Sequence, residues 1–405
     1  MKILKLLLLL VFFSLVLGQF GRLPVLSGGT NIYLQDLAVF FLVLGVFLHL
    51  LISRRIKQSL FDGTVLAGGA YIFWALASFI YNSQWLDFEK NVVGFSYLAR
   101  FWLYFLVYFV LVQILREGGI EIRRWVIKIL IFSGLVLAVS GFIQLMVLPD
   151  LSVLSEYGYD PHKNRLVTTF LDPNFSGAYI VLSLNLLLSV PFFGSSARYW
   201  KVGLLLIALI LTFSRSAWLM FAVSVFVFGL FRSRKMLLAA FFIGFLAYFL
   251  VPRVQTRIAG ITDPDDSAKL RFVSWQRAVT IAKNSPILGV GFNNFRSAQE
   301  EQGFFDFNIP EGGRAGAGSD SSFLLVLATT GVVGFFLYLI FYLTLAARAL
   351  RGLLSGDAVS LGLFVSLVGL LLESNFINSL FFTPILLWVF IAAAVSSTHP
   401  SQRPA

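Results

Sequence analysis

Three segments carry residue types suited to chemistry on an anionic substrate. The first runs Lys163-Asn164-Arg165-Leu166-Val167-Thr168-Thr169-Phe170-Leu171-Asp172-Pro173-Asn174-Phe175 and leads into an apolar stretch. In the second, Ser214-Arg215-Ser216 interrupts an apolar run over 202–231. The third is a polar excursion that contains Arg271 and ends at Asp320. Guanidinium groups bind phosphate through paired, charged hydrogen bonds and keep their charge when partly buried. Several of them at the outer edge of a lipid layer suit a polyanion presented by a lipid. A lipid-linked diphosphate has that shape, with an apolar tail for a groove between helices and two phosphates at the interface. The chemistry implied is glycosyl transfer. Arg165, Arg215 and Arg271 would stabilise charge on the departing diphosphate, while a carboxylate or imidazole near the cleft assists the attacking hydroxyl. Arginine supplies the neutralisation, so this reading needs neither metal nor cofactor.

Each of these residues also has an ordinary structural role. Asp172-Pro173-Asn174 reads as a helix cap and initiating turn, and such a turn still positions Arg165. Arg100 lies inside the fourth apolar run, in Tyr97-Leu98-Ala99-Arg100-Phe101-Trp102, and is a further candidate substrate contact. Asp36 and Glu373 fall near outer ends of apolar runs. Snorkelling to the headgroups is the ordinary expectation for Asp36, Arg100 and Glu373. Arg215 fits it less well, because its surroundings are uniformly apolar.

The elements that hold these residues follow from composition. Of 405 residues, 58% are hydrophobic and 13% charged, half the charged share usual in a soluble domain. Forty-four Phe and eight Trp suit a lipid-facing surface with interfacial rings. The net charge of +11 is dispersed between apolar runs without a basic tract, which argues against nucleic acid as a partner. With no cysteine, disulfides, thiolate metal sites and a cysteine nucleophile are excluded. His49, His162 and His399 stand far apart in sequence and form no metal-ligand pattern.

A helix needs about 20 residues to cross the hydrocarbon layer. Suitable runs occupy 4–20, 32–52, 60–81, 93–114, 126–148, 174–193, 236–251, 321–345, 357–374 and 381–397, and the interrupted run at 202–231 reads as a tight pair. The first of these starts like a signal peptide but lacks a small-residue cleavage site, so it is read as a retained span. Twelve crossings with both termini inside make every cytoplasmic segment basic, among them Arg54-Arg55, Arg123-Arg124 and Arg232 to Lys235, and leave the short outer segments poorer in Lys and Arg. The expected fold is therefore all-α, a single integral membrane domain over 1–405, in a polytopic bundle of about 12 spans. Two segments face outward, 149–173 and 252–320. Within the longer one, Ala268 to Lys283 reads as an amphipathic helix with Phe272, Trp275, Val279 and Ala282 on its apolar face, ended by Pro286 and the turn Gly289-Val290-Gly291. Gly312-Gly313 and Gly316 to Gly318 read as a mobile lead into the next span.

These motifs, from about 160 to 345, resemble the bacterial O-antigen ligase and Wzy-type O-antigen polymerase superfamily. The resemblance rests on Arg165 through Asp172-Pro173-Asn174, on Leu211-Thr212-Phe213-Ser214-Arg215-Ser216, on Arg271 and Trp275 ahead of Pro286 to Phe292, and on Asp320-Ser321-Ser322-Phe323-Leu324 running to Thr330-Gly331. It implies an enzyme of the bacterial cytoplasmic membrane. Its donor would be an undecaprenyl-diphosphate-linked glycan and its acceptor a hydroxyl on a glycan, lipid or protein. The arginines would serve the diphosphate, with Arg271, Arg100, Asn174 and Asp172 as substrate contacts. Many such ligases place a histidine where this chain has Asp320, so the resemblance makes Asp320 the acceptor-activating residue and His162 a spatial substitute for it. A transporter or flippase of an anionic or lipid-linked substrate is the alternative reading, kept open by the break at 214–216.

Overall fold

The computed structural model describes residues 2–23, 31–53, 62–191, 194–259, 266–305 and 318–398. Arg54, Arg55, Lys57, His399, Arg403 and the glycines at 312, 313 and 316 lie outside the described residues. Helices dominate: α1 (Lys2–Leu17), α2 (Leu34–Ser53), α3 (Gly63–Ser83), α4 (Phe88–Val147), α5 (Pro173–Ser189), α6 (Ser195–Leu211), α7 (Arg215–Phe231), α8 (Lys235–Leu250), α9 (Pro252–Ala259), α10 (Asp266–Asn284), α11 (Phe295–Glu301), α12 (Ser322–Leu354), α13 (Ala358–Glu373) and α14 (Thr383–Ser397). The expected all-α class holds.

Among the described residues, five helices are long and apolar enough to cross a membrane, and the bent pair α8 and α9 makes a sixth. The expectation of twelve crossings rested on apolar runs, and several of those runs form shorter helices. Arg215–Phe231, Ala358–Glu373 and Thr383–Ser397 are apolar but short; Ser214 and Asp357 cap the first two at their starts. The two runs at 93–114 and 126–148 belong to one helical element, broken at Gly119, whose φ is +61°.

Burial sorts these helices into layers. From Pro384 to Ser397 every residue of α14 is buried, with Trp388 and Phe390 wholly enclosed, as expected of a helix apolar all round that runs through the middle of a bundle. The next layer includes α4, α5, α12 and α13, whereas α8 has no buried residue.

The two ends of the bundle differ. Asp357 caps α13 at one end and receives Nη2 of Arg123 at 2.7 and 2.8 Å. Beside it, Arg348 pairs with Asp62, and Arg198 and Arg232 donate to the carbonyls of Val190 and Ser189 that close α5. Cations at a helix C-terminus meet its partial negative charge. Glu373 ends α13, and its 16 residues place that end about 24 Å away.

The polar excursion folds as α9, α10 and α11. The amphipathic helix is present as α10, but its protein-facing side differs from the expected one. Ala278, Ile281 and Ala282 are buried against Leu325 and Ala328 of α12, whereas Phe272 and Val279 are exposed. Small side chains permit the close approach to α12, and the large apolar Phe272 stays on the outer side. The turn after α10 is pinned to a break in α12: Val290 and Gly291 donate to the carbonyls of Ala328 and Thr329, and Val332 donates to Pro286. Only glycine fits at Gly331, whose φ is +69° and where a Cβ would lie 1.9 Å from the Ile287 carbonyl oxygen.

Candidate functional site

The site begins where two helices start. Asp172 caps α5, its Oδ1 accepting from the amides of Asn174 at 2.6 Å and Phe175 at 3.0 Å. Ser214 caps α7, and its hydroxyl donates to Asn174 Oδ1 at 2.8 Å. The two N-termini are thus tied together, with Arg215 as the first residue of α7. The partial positive charge at both helix starts favours negative charge nearby. Between α6 and α7 the chain turns through Phe213, held at φ +49°, a strained conformation for a bulky residue. Arg165 supports that turn from the side. Its Nε donates to Thr212 O at 2.9 Å and its Nη2 to Phe213 O at 3.2 Å, while Leu166 N reaches Leu211 O.

The third part comes from α10 and α12. Arg271, Ser274 and Trp275 share one face of α10. Ser274 Oγ accepts from the Asp320 amide at 3.0 Å, and Trp275 Nε1 donates to the Asp320 carbonyl at 3.1 Å. This clamp sets Asp320 directly before Ser321, the N-cap of α12. The Asp320 side chain acts on Arg271, which also feels Arg215, Asp172 and Glu373. Arg165, Arg215, Arg271, Asp172, Asn174 and Asp320 therefore gather at one end of the bundle, all named from the sequence.

Electrostatics here are tense. Burial, then the neighbouring Arg257, push Arg165 down to about 9, with Arg253 and Arg271 adding to the effect and Asp172 opposing it. Burial also lowers Arg271, against the attraction of Asp320. Asp320 is raised, first by burial and then by Asp160 and Asp172, although Arg271 pulls it down. For Asp172 burial acts upward, but His162 and the amides of Phe175 and Asn174 outweigh it and hold the carboxyl below its ordinary range.

Arg100 stands elsewhere. It pairs with Asp36 at 2.9 Å and lies against the Tyr97 ring, while Tyr104 donates to the same carboxylate. A partly buried pair between α2 and α4 replaces the expected snorkelling of both residues. Glu373 does not snorkel either: it is fully buried, and Ser379 donates to its Oε1 at 3.0 Å.

Four contributors escaped the sequence reading. Arg253 and Arg257 reach Arg165 from α9, and their i, i+4 spacing was the available signal. Glu373 joins through burial. Asp160 joins His162 and Asp172 in a group whose ligand atoms lie within 4.8 Å of one another, a donor set that could take a divalent cation. The spread of histidines in sequence had pointed to no metal-ligand pattern, and folding supplied one from two loop residues and a helix cap.

Residues 201–339 match the O-antigen ligase family model, Wzy_C. The Wzy_C region includes Arg215, Arg271, Asp320 and Gly331, and begins after Arg165, Asp172 and Asn174. An O-antigen ligase domain over part of the chain supports a role in ligating or polymerising surface-polysaccharide chains. The comparison with curated proteins finds no match.

Proposed function

We propose that the protein transfers a glycan from a polyprenyl-diphosphate-linked donor to a hydroxyl acceptor on a glycan, lipid or protein, acting as an O-antigen ligase or polymerase. The observation that carries this reading is the gathering of Arg215, Arg271 and Asp320, all within the Wzy_C match, at the start of helices at one end of an apolar bundle. The acceptor oxygen forms a bond to the anomeric carbon as the bond from that carbon to the diphosphate oxygen breaks. The electron pair leaves with the diphosphate, which stays on its polyprenyl chain, and Asp320 takes the hydroxyl proton. Arg165, Arg215 and Arg271 spread the charge that develops on the leaving group. Asn174 and Asp172 set the position of Arg215 and contact the substrate. Guanidinium charge meets this need without a metal.

In this reading the bundle sits in a bacterial cytoplasmic membrane with twelve crossings, both termini cytoplasmic and the 252–320 excursion extracytoplasmic. The basic cluster around Arg123, Arg198, Arg232 and Arg348 then faces the cytoplasm. The gathering of the candidate residues at one end favours transfer over transport.

The test is reconstitution with a polyprenyl-diphosphate glycan and candidate acceptors. Elongation on the lipid identifies a polymerase, and release from the lipid a ligase. Arg215→Ala is expected to abolish transfer while the folded protein remains in the membrane; normal turnover by that variant rejects the assignment.

A further inference from the structure

Between Asp172 and Asp263 the chain has no acidic residue, so α5 to α9 carry no carboxylate side chain. Cations nevertheless gather where α5 to α8 meet, at the end away from Asp172 and Arg215: Arg198 and Lys201 in α6, Arg232 after α7, and Arg234 and Lys235 at the start of α8. Two of them converge. Arg198 Nη2 donates to Val190 O and Arg232 Nη1 to Ser189 O, the carbonyls of consecutive residues where α5 ends. The two guanidinium groups are therefore neighbours. Partial burial, and then the like charge of Arg198, hold Arg232 below its ordinary range. The helix end supplies partial negative charge but no net charge. Neither arginine forms an ion pair among the described residues, and Arg198 Nε is buried there without a hydrogen-bond partner. On α13, which packs against α5 and α7, the carboxylate at this end is Asp357, already committed to Arg123 and Ser360. Like charges held together in a partly buried place cost energy that an anionic ligand would return.

The surface around these arginines has the character of a lipid boundary. Tyr199 and Trp200 follow Arg198 and are exposed, as are Leu230 and Phe231, which precede Arg232. Tyr and Trp favour the headgroup level of a membrane, and basic pockets between helices at that level suit anionic headgroups. A soluble anion gains nothing from the apolar flank, whereas an acyl chain does.

We propose that Arg198 and Arg232 form a binding site for an anionic phospholipid, gripping its headgroup phosphate while its acyl chains lie along the exposed flank of Leu230 and Phe231. The lipid bridges α6 and α7 at the C-terminus of α5. It thereby holds together the far ends of α5 and α7, whose starts carry Asp172 and Arg215. The site is separate from the one proposed for glycan transfer and does not depend on that reaction.

The test is native mass spectrometry of the full chain in detergent, titrated separately with phosphatidylglycerol and phosphatidylcholine, which reads the affinity for the first bound lipid. Wild type is expected to favour phosphatidylglycerol by about tenfold, the gain of one charge-assisted contact. Arg232→Gln should bring that ratio close to one with little change for phosphatidylcholine. Arg234→Gln, which removes an equal charge two residues away, should keep most of the preference. Equal affinity of wild type for the two lipids overturns the site, as does an unchanged ratio in Arg232→Gln. Equal loss in Arg232→Gln and Arg234→Gln overturns it too, because the preference then reflects diffuse basic charge. Displacement of phosphatidylglycerol by inorganic phosphate at equal concentration assigns the arginines to a soluble anion and rejects the lipid. The wild-type ratio and the phosphate competition need no variant, so they decide the matter even where Arg232→Gln fails to fold.

Discussion

Asn174 and Ser214 share a hydrogen bond of 2.8 Å that joins the first turns of α5 and α7. Each residue belongs to a capping segment, and the bond between them sets Arg215 against the end of α5. Asn174→Ala removes one side-chain hydrogen bond, a loss of about 1 kcal/mol in stability. If the bond positions Arg215, transfer should fall far more than folding does, by about tenfold to a hundredfold. Thermal unfolding compared with turnover separates the two, and equal small losses in both would deny the positioning role.

Asp320 lies above the ordinary carboxylate range, mainly through burial and then through Asp160 and Asp172, and Arg271 holds it down. A base must be deprotonated to act, so kcat/KM should rise with pH through the raised Asp320 value and then level. Replacing Arg271 with Gln removes the opposing cation, so the acidic limb should move to higher pH. A pH profile of residual activity in Arg271→Gln measures this; a limb moving to lower pH contradicts the proposed pairing. Asp320→Asn should remove the limb together with most of the turnover.

Asp160, His162 and Asp172 could hold a cation, yet the transfer described above draws its positive charge from arginine. Turnover in reconstituted membranes is therefore expected to survive exhaustive chelation. Loss of activity on chelation, restored by a divalent cation and insensitive to it in His162→Ala, would replace arginine by metal as the source of neutralisation.

At the other end of the bundle, Arg123 and Asp357 are both buried, at 7% and 4% exposure, and Arg123 Nε also donates to Val395 O. Asp357→Ala strands a guanidinium and removes the cap of α13. The expected cost is about 3–5 kcal/mol. The double change Arg123→Met with Asp357→Leu should recover much of that loss, because it removes both charges. Thermal unfolding in detergent measures both, and a double variant no more stable than Asp357→Ala argues against stranded charge as the cause.

Much of the fold is written locally. A hydrophobic helix in lipid satisfies its own backbone, so apolar runs alone announce the helices and the all-α class. Capping is local as well: Asp172 and Ser214 start helices through amides two or three residues away, which is why the break at 214–216 and the start of α5 were legible. The polar excursion between α8 and α12 was legible because its charged residues interrupt the apolar pattern, the same signal that made Arg165, Arg215, Arg271 and Asp320 candidates.

Pairing and burial required the tertiary structure. Arg100 and Arg165 are both single arginines near apolar runs, but one meets Asp36 and the other meets Arg253 and Arg257, partners far away in sequence. The α14 run looks like any lipid-facing span until the bundle closes around it, and apolar side chains alone could not tell α10 which face to bury. A helix or a cap depends on neighbours along the chain, so sequence determines it. The energy of a charge depends on what lies within a few ångströms in space and on how much water remains, and only the packed bundle decides that.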